Sequence, residues 1–254
     1  MKKGPSQTLM SRTGHKLIND QSKVIKQLEE TKKHADVNKR KINFSKTKKM
    51  LFNPCLSKDF LPQIECDGST VELVEQTKLL GLIISSDLSW SANTEFIEER
   101  CYKKLWMLRR LDKLGADSDD LIDVYCKQVR SILEFAVPVW NSSLTGENIA
   151  QLERLQKTAL HIILGDRYTS YTAALKLSGL DKLSDRRKKI CLKFAKKAEK
   201  HSKFSNWFKP SVRRVYTRQE LPKYCHVYSK TSRFEKSPIS SLTETLNMYY
   251  SRKK

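Results

Sequence analysis

KLLGLIISSDLSW, Lys78 to Trp90, is the stretch on which the fold turns. A run of Leu and Ile with one glycine inside it is closed by Ser85-Ser86-Asp87, and a tryptophan follows. Such a short apolar run, stopped by turn residues, reads as a buried β-strand ending in a turn. Strand-like runs recur up to and including it: Ile42-Asn43-Phe44, Met50-Leu51-Phe52, Ile64-Glu65-Cys66, Val71-Glu72-Leu73-Val74 and Leu79–Ile84. Asn53-Pro54, the loop around Pro62 and Asp67-Gly68 separate them. ECDGSTVEL carries the Asp-Gly signature of a hairpin. A first helix precedes the strands over LINDQSKVIKQLEETKKHADVNKRK, with Ile18, Val24, Ile25 and Leu28 as a thin apolar stripe.

From Trp90 onward the period is helical. Ile97, Cys101, Leu105, Leu108 and Leu111 make one apolar face that ends at Gly115. Asp117 and Asp120 open the next helix, with Leu121, Tyr125, Val129, Ile132 and Ala136 inward and Pro138 as its stop. Thr145 caps a third, whose inner residues are Ile149, Leu152, Gln156, Ala159, Leu160 and Ile163 and whose end is Gly165. A short helix, Tyr171–Leu177, stops at Gly179, and Ser184 caps a fifth that runs to about His201. Beyond Pro210 the chain is polar, basic and aperiodic, with SSLTETLNMYY the one segment fit for order. The expected class is therefore α+β: an N-terminal helix and a small antiparallel β-meander, then an α-helical array, then a disordered basic tail. The expected divisions are 1–16 disordered, 17–89 helix and meander, 90–208 helical domain, and 209–254 largely disordered tail.

The 254 residues carry a formal net charge of +21, which makes polyanions the natural partners: RNA or DNA first. The six cysteines are scattered without a CxxC pair, and MKKGPSQTLMSRTG lacks the apolar core of a signal peptide. Reduced thiols and an intracellular location, nuclear or cytoplasmic, are expected. No apolar run is long enough to span a bilayer, so no membrane role is expected.

The order INFSKTKKMLF, Asp-Gly hairpin, KLLGLIISSDLSW, LRRLDKLG, VRSILEFAVPVW, LERLQKTALHIILG, LSDRRKKICLKFA resembles the C-terminal third of non-LTR retrotransposon reverse transcriptases. The resemblance covers about residues 17 to 208. It implies the end of a palm, a primer-grip-like strand at Leu80, Gly81 and Leu82, and a thumb and connection from Trp90. The matching residues are Asn43, Lys46, Thr47, Lys48, Leu80, Gly81, Leu88 and Trp90. Further on they are Arg130, Ser131, Glu134, Pro138, Trp140, Glu153, Gln156, Lys157, Arg186 and Arg187. The resemblance also implies an RNA-directed DNA polymerase whose metal-holding carboxylates sit in an early palm strand and an x-D-D turn. Both motifs would fall before residue 17, where the sequence has no room for them. No catalytic residue, metal ligand or cofactor is therefore expected here, any Mg belonging to the upstream palm, and the chain alone is not expected to polymerise DNA. Asp119-Asp120 reads as a pair of first-turn helix acids favoured by the macrodipole, not as that turn. Phe96 to Trp140 also resembles a small domain at the N-terminus of an AlkB-type tRNA-modifying enzyme. The five histidines contain no HxD, so no dioxygenase triad is present.

Candidate contacts with a phosphate backbone fall in three clusters. Lys46, Lys48 and Lys49, continuing Lys39, Arg40 and Lys41, contain no acid. Lys103, Lys104, Arg109 and Arg110, with Lys113, flank the first apolar helix face. Arg186, Lys189, Lys193, Lys196, Lys197 and Lys200 share one helical stripe opposite Ile190, Cys191, Phe194 and Ala198. Each cluster also fits a solvated surface. Of the tryptophans, Trp140 reads as core and Trp106 as half-buried beside the apolar stripe. Cys225-His226 and the pair Cys191, His201 lack zinc-site spacing. No small-molecule motif occurs, and the oligomeric state is left open. Two functions stand side by side: a truncated reverse-transcriptase fragment that binds template–primer, or a domesticated helical module that binds RNA, DNA or protein.

Overall fold

The computed structural model describes residues 25–43, 46–52, 65–66, 69–211, 222–229 and 231–252. Expected disorder over 1–16 and the expected helix start over 17–24 lie outside them. The chain divides into two compact units, Met1–Thr77 and Lys78–Lys254.

In the first unit a helix, α1, covers residues 25–37. Strand β1 (Lys48–Lys49) pairs in parallel with β4 (Glu72–Leu73), and Lys48 forms an ion pair with Glu72 at the first step of that register. The strand pairing expected there is present, Asp67-Gly68 lying outside the described residues: β2 (Glu65–Cys66) and β3 (Ser69–Thr70) run antiparallel, Glu65 opposite Thr70 and Cys66 opposite Ser69. The α+β class is thus observed, with the strands as separate two-stranded sheets rather than one meander. Met50-Leu51-Phe52 is not a strand; pairing stops at Lys49, and Phe52 is exposed.

The Leu- and Ile-rich run after Lys78 is divided between two strands. β5 (Gln76–Leu79) and β6 (Leu82–Ser85) form a hairpin around Leu80-Gly81. Both turn residues have positive φ, 48° at Leu80 and 88° at Gly81, as a type I′ turn demands. Leu82 and Ser85 are buried, whereas Leu79 is exposed and Leu80 is 88% exposed. The single buried strand expected from composition is corrected by geometry: glycine inside a Leu-rich run is the turn, not a packing residue. A Cβ on Gly81 would also sit 3.2 Å from the Phe135 ring, so two separate constraints fix glycine there. After β6 the expected turn follows, with Ser89 N–H donating to Asp87 Oδ1 at 2.9 Å.

Helix α2 (Ser91–Lys113) buries Ile97, Cys101, Leu105 and Leu108, and the buried Asn93 accepts a hydrogen bond from Ile83 N–H at 3.1 Å, tying the hairpin to the helix. It ends in a Schellman motif, with Ala116 N–H bonded to Leu111 O and Gly115 N–H to Asp112 O. α3 (Ser118–Val124) starts with Asp119 and Asp120 in its first turn, as the macrodipole favours. It continues through a π-helical segment (Tyr125–Arg130) into α4 (Ser131–Leu133). Leu121, Tyr125, Val129, Leu133 and Val137 are all buried at a strict step of four. That step drifts off the face of an α-helix and stays in register only where the turn widens. Pro138 does not stop this helix. The break comes at Ala136, in the left-handed region at φ 51°, and Pro138 lies in the first turn of α5 (Val137–Trp140).

α6 (Gly146–Leu164) has the expected cap, a reciprocal box between Thr145 and Asn148, and packs along α2. Ile149, expected inside, is exposed, and Leu155 is buried instead. α7 (Tyr171–Ser178) ends at Gly179 in the left-handed region. α8 (Leu183–Lys200) begins one residue before Ser184, which is not its cap. The Ser184 N–H instead donates to the Glu153 carboxylate of α6 at 2.7 Å, a cap supplied across the core.

The expected disordered tail is corrected over its described part. α9 (Ser232–Glu235) and α10 (Pro238–Ser251) are helices, and Leu242 and Leu246 of α10 are buried in the core beside α8 and α5. Ser237 caps α10 and Pro238 opens it. Its Ser and Thr content gives poor intrinsic helicity, so burial against α8 rather than propensity makes the helix. No helix among the described residues is long and apolar enough to cross a membrane.

Candidate nucleic-acid interface

The stripe on α8 separates into two groups once its neighbours are in place. Arg186 makes a bidentate pair with Glu134, which Arg130 also approaches at 3.6 Å. Lys189 pairs with Asp181 at 2.6 Å, and Lys196 lies 3.5 Å from the centre of the Tyr249 ring. These three hold α8 to α4, to the α7–α8 loop and to α10. Lys193, Lys197 and Lys200 are exposed and have no carboxylate partner among the described residues. Positions 193, 197 and 200 follow the i, i+4, i+7 spacing of one helix face, so three cations stand in a row.

On α2, Lys103 is paired with Glu99 at 2.7 Å, Lys104 is half-buried, and Arg109 and Arg110 are exposed. Lys46, Lys48 and Lys49 belong to the other unit; Lys46 is exposed and Lys48 is tied to Glu72. The primer-grip-like residues Leu80, Gly81 and Leu82 form the tip and first inward residue of the hairpin. Trp140 is core as expected, fully buried with its indole N–H donating to Phe135 O at 2.9 Å. Trp106 is more open than half-buried.

The residues that carried the resemblance beyond Trp90 are largely internal. Glu153 is buried and accepts from the Tyr171 hydroxyl at 2.6 Å as well as from Ser184 N–H. Gln156 donates to Asp181 O at 3.0 Å. Arg187 is 1% exposed, donates through Nε to Asn141 Oδ1 at 3.0 Å, and has its pKa lowered by burial, against the attraction of Glu153. Arg130, Glu134 and Arg186 form the ion-pair cluster above. These groups set how α6, α8 and the α4 end meet. Sequence reading misses Glu153 as a capping group because its partners are 18 and 31 positions away.

At the C-terminal end of α8, Glu199 collects three donors from the tail: Lys223 at 2.7 Å, the Tyr224 hydroxyl, and the Tyr250 hydroxyl at 2.9 Å. Burial opposes charge on Glu199, yet the bonds from Lys223, Tyr224 and Tyr250 outweigh it and hold its pKa below the usual carboxylate value of 4.5. Burial, helped by the bond to Glu199, pushes the Tyr224 hydroxyl up to about 12. A depressed carboxylate stabilises the fold above its unfolded pKa and loses that contribution as pH falls through the folded one. A raised hydroxyl stabilises below its unfolded pKa of 10.0 and loses the contribution as pH climbs towards about 12. Docking of the tail is therefore expected to be firm between these limits and to loosen on both sides. Hydrogen exchange of α10 amides followed against pH checks this: α10 should lose protection in acid before α6 does. Simultaneous loss in both helices would show that Glu199 is not the group that fastens the tail.

Among the described residues no three His, Cys, Asp or Glu side chains gather as a metal site would need. Cys101 and Cys191 are buried free thiols whose pKa values burial raises, to about 12 and about 11. Such thiols are poor nucleophiles. Comparison with known proteins finds no family model, no curated protein and no solved structure that matches the chain.

Proposed function

We propose that this chain binds the phosphate backbone of nucleic acid, as the palm-end, thumb and connection portion of a non-LTR reverse transcriptase would bind its template–primer. The observation that carries the reading is the row Lys193, Lys197 and Lys200, three exposed cations on a helix anchored through its other charges. Like charges along one face repel each other, and an adjacent polyanion relieves that repulsion while releasing counterions. The net charge of +21 supports the same class of partner. The order of a hairpin followed at once by a helical array accords with a primer-grip-like turn leading into a thumb. Carboxylates for polymerase chemistry do not accompany it in this sequence, so the function proposed is binding.

Titration of a primer–template with salt tests the reading. Affinity should fall linearly on a log–log plot, and the recessed 3′ end should be preferred to a blunt duplex. Changing Lys193, Lys197 and Lys200 together to Gln should reduce the salt slope by about one unit for each phosphate that is no longer neutralised, up to roughly three. Lys189→Gln should change it little, since that lysine is already neutralised by Asp181. An unaltered slope in the triple variant returns this face of α8 to ordinary hydrated surface.

A further inference from the structure

The outer face of α2 has a feature that core packing does not use. Trp106 is 63% exposed, and Tyr102, one turn before it, is 44% exposed. Their i, i+4 spacing puts both rings on one side, about 100° round the helix from the neighbouring buried residues Cys101 and Leu105. A tryptophan left this open forgoes most of the gain its large ring would make by burial.

The rim around the rings is cationic. The Arg110 guanidinium lies 5.9 Å from the centre of the Trp106 ring, and Arg109 and Lys113 are exposed further along the helix. Arg154 comes from α6: with Arg109 it acts on the Tyr102 hydroxyl, opposing the rise in pKa caused by burial and by the bond to Glu98. Two helices thus contribute positive charge to one aromatic surface. The acids of this face, Glu95, Glu98 and Glu99, lie toward the N-terminal side of the rings, and Glu99 is neutralised by Lys103.

We infer that Tyr102 and Trp106 are a stacking platform for unpaired bases of a single-stranded RNA or DNA, whose phosphates Arg109, Arg110, Lys113 and Arg154 hold. The inference rests on the proposal that the chain binds nucleic acid, and adds a second form of it on a different helix from the α8 lysines. Aromatic rings beside arginines accept any base, because every base presents a flat π surface, and the backbone meets the cations. A blunt duplex keeps its bases stacked on one another and offers this face phosphates alone. A lipid surface is the poorer fit. An interfacial helix buries a broad apolar face, whereas here two rings stand among charged side chains.

Fluorescence anisotropy with the full chain tests the platform, using labelled oligo-dT, oligo-U of equal length and a blunt duplex at one salt concentration. Trp106→Ala should weaken both single strands about tenfold and the duplex by less than about twofold. Trp106→Phe should keep most of the single-strand affinity. Trp106 is exposed, so both variants should retain the wild-type denaturation midpoint. If the wild type binds all three probes and Trp106→Ala binds single strands as tightly, the platform is overturned and the backbone reading stands. Equal losses on single strand and duplex overturn it as well, since they mark a general contact. If the wild type binds neither form, the nucleic-acid reading fails and the platform with it. Tighter wild-type binding to anionic phospholipid vesicles than to oligonucleotides, abolished in Trp106→Ala, would replace the base-stacking assignment with a membrane one.

Discussion

Replacing Glu153 by alanine is expected to remove about 2–5 kcal/mol of folding stability, because it strands two donors at once. Three groups depend on this carboxylate. The Ser184 N–H at the start of α8 and the Tyr171 hydroxyl both donate to it, and the buried Arg187 guanidinium is stabilised by its charge. Alanine leaves a helix-start N–H and a phenol without an acceptor and a buried cation without a counter-charge. Glu153→Gln keeps the volume yet removes the charge and one of the two acceptors, so it should be nearly as costly. Arg187→Met should cost less than Glu153→Ala. It removes a buried charge, together with an Nη1 that has no hydrogen-bond partner, and puts an apolar chain of similar length in its place. Chemical denaturation midpoints of the three variants decide this. Should Glu153→Ala fall within about 1 kcal/mol of wild type, the cross-core cap is not what holds α8 in place.

The second large effect is expected in the tail. Leu246 is fully buried at the inner face of α10, beside α8 and α5. Leu246→Ala should cost about 2–5 kcal/mol, as for an interior leucine, because the surrounding helices close the space only in part. A tail that were merely attached and solvated would tolerate the change at a cost near zero. The two cases are far enough apart for a single thermal melt to separate them. Exposure of the α8 groove should also raise binding of an apolar dye at temperatures below the main transition, which gives an independent readout.

Much of the helical array is legible in the sequence because its signals are local. Thr145 and Asn148 cap α6 from three residues apart, Gly115 and Gly179 take left-handed conformations that glycine adopts without strain, and the row from Ile97 to Leu108 marks one face. Where the sequence misleads, a competing effect acts over a longer distance. Leu80-Gly81 is submerged in a Leu-rich run, and only the pairing of β5 with β6 shows it to be a turn. The strict step of four from Leu121 to Val137 looks like a slightly irregular α-helix, and the π turn that accommodates it is fixed by packing. α10 has a local start signal in Ser237-Pro238 but weak helix formers after it; its leucines need α8 to give them a partner.

The candidate interface divides along the same line. Composition and periodicity determine that α8 bears a basic stripe and that the chain as a whole carries a large positive charge. They cannot say which of those cations are already engaged, because Glu134 and Tyr249 are distant in sequence from Arg186 and Lys196, and Asp181 precedes the helix that carries Lys189. Tertiary structure alone sorts the stripe into three anchoring groups and the exposed row Lys193, Lys197 and Lys200. It alone brings the charge of Arg154 within electrostatic range of Tyr102 and leaves Trp106 in solvent. A helix wheel ranks residues by angle, whereas Coulomb and hydrogen-bond energies depend on the few ångströms between groups that only folding brings together.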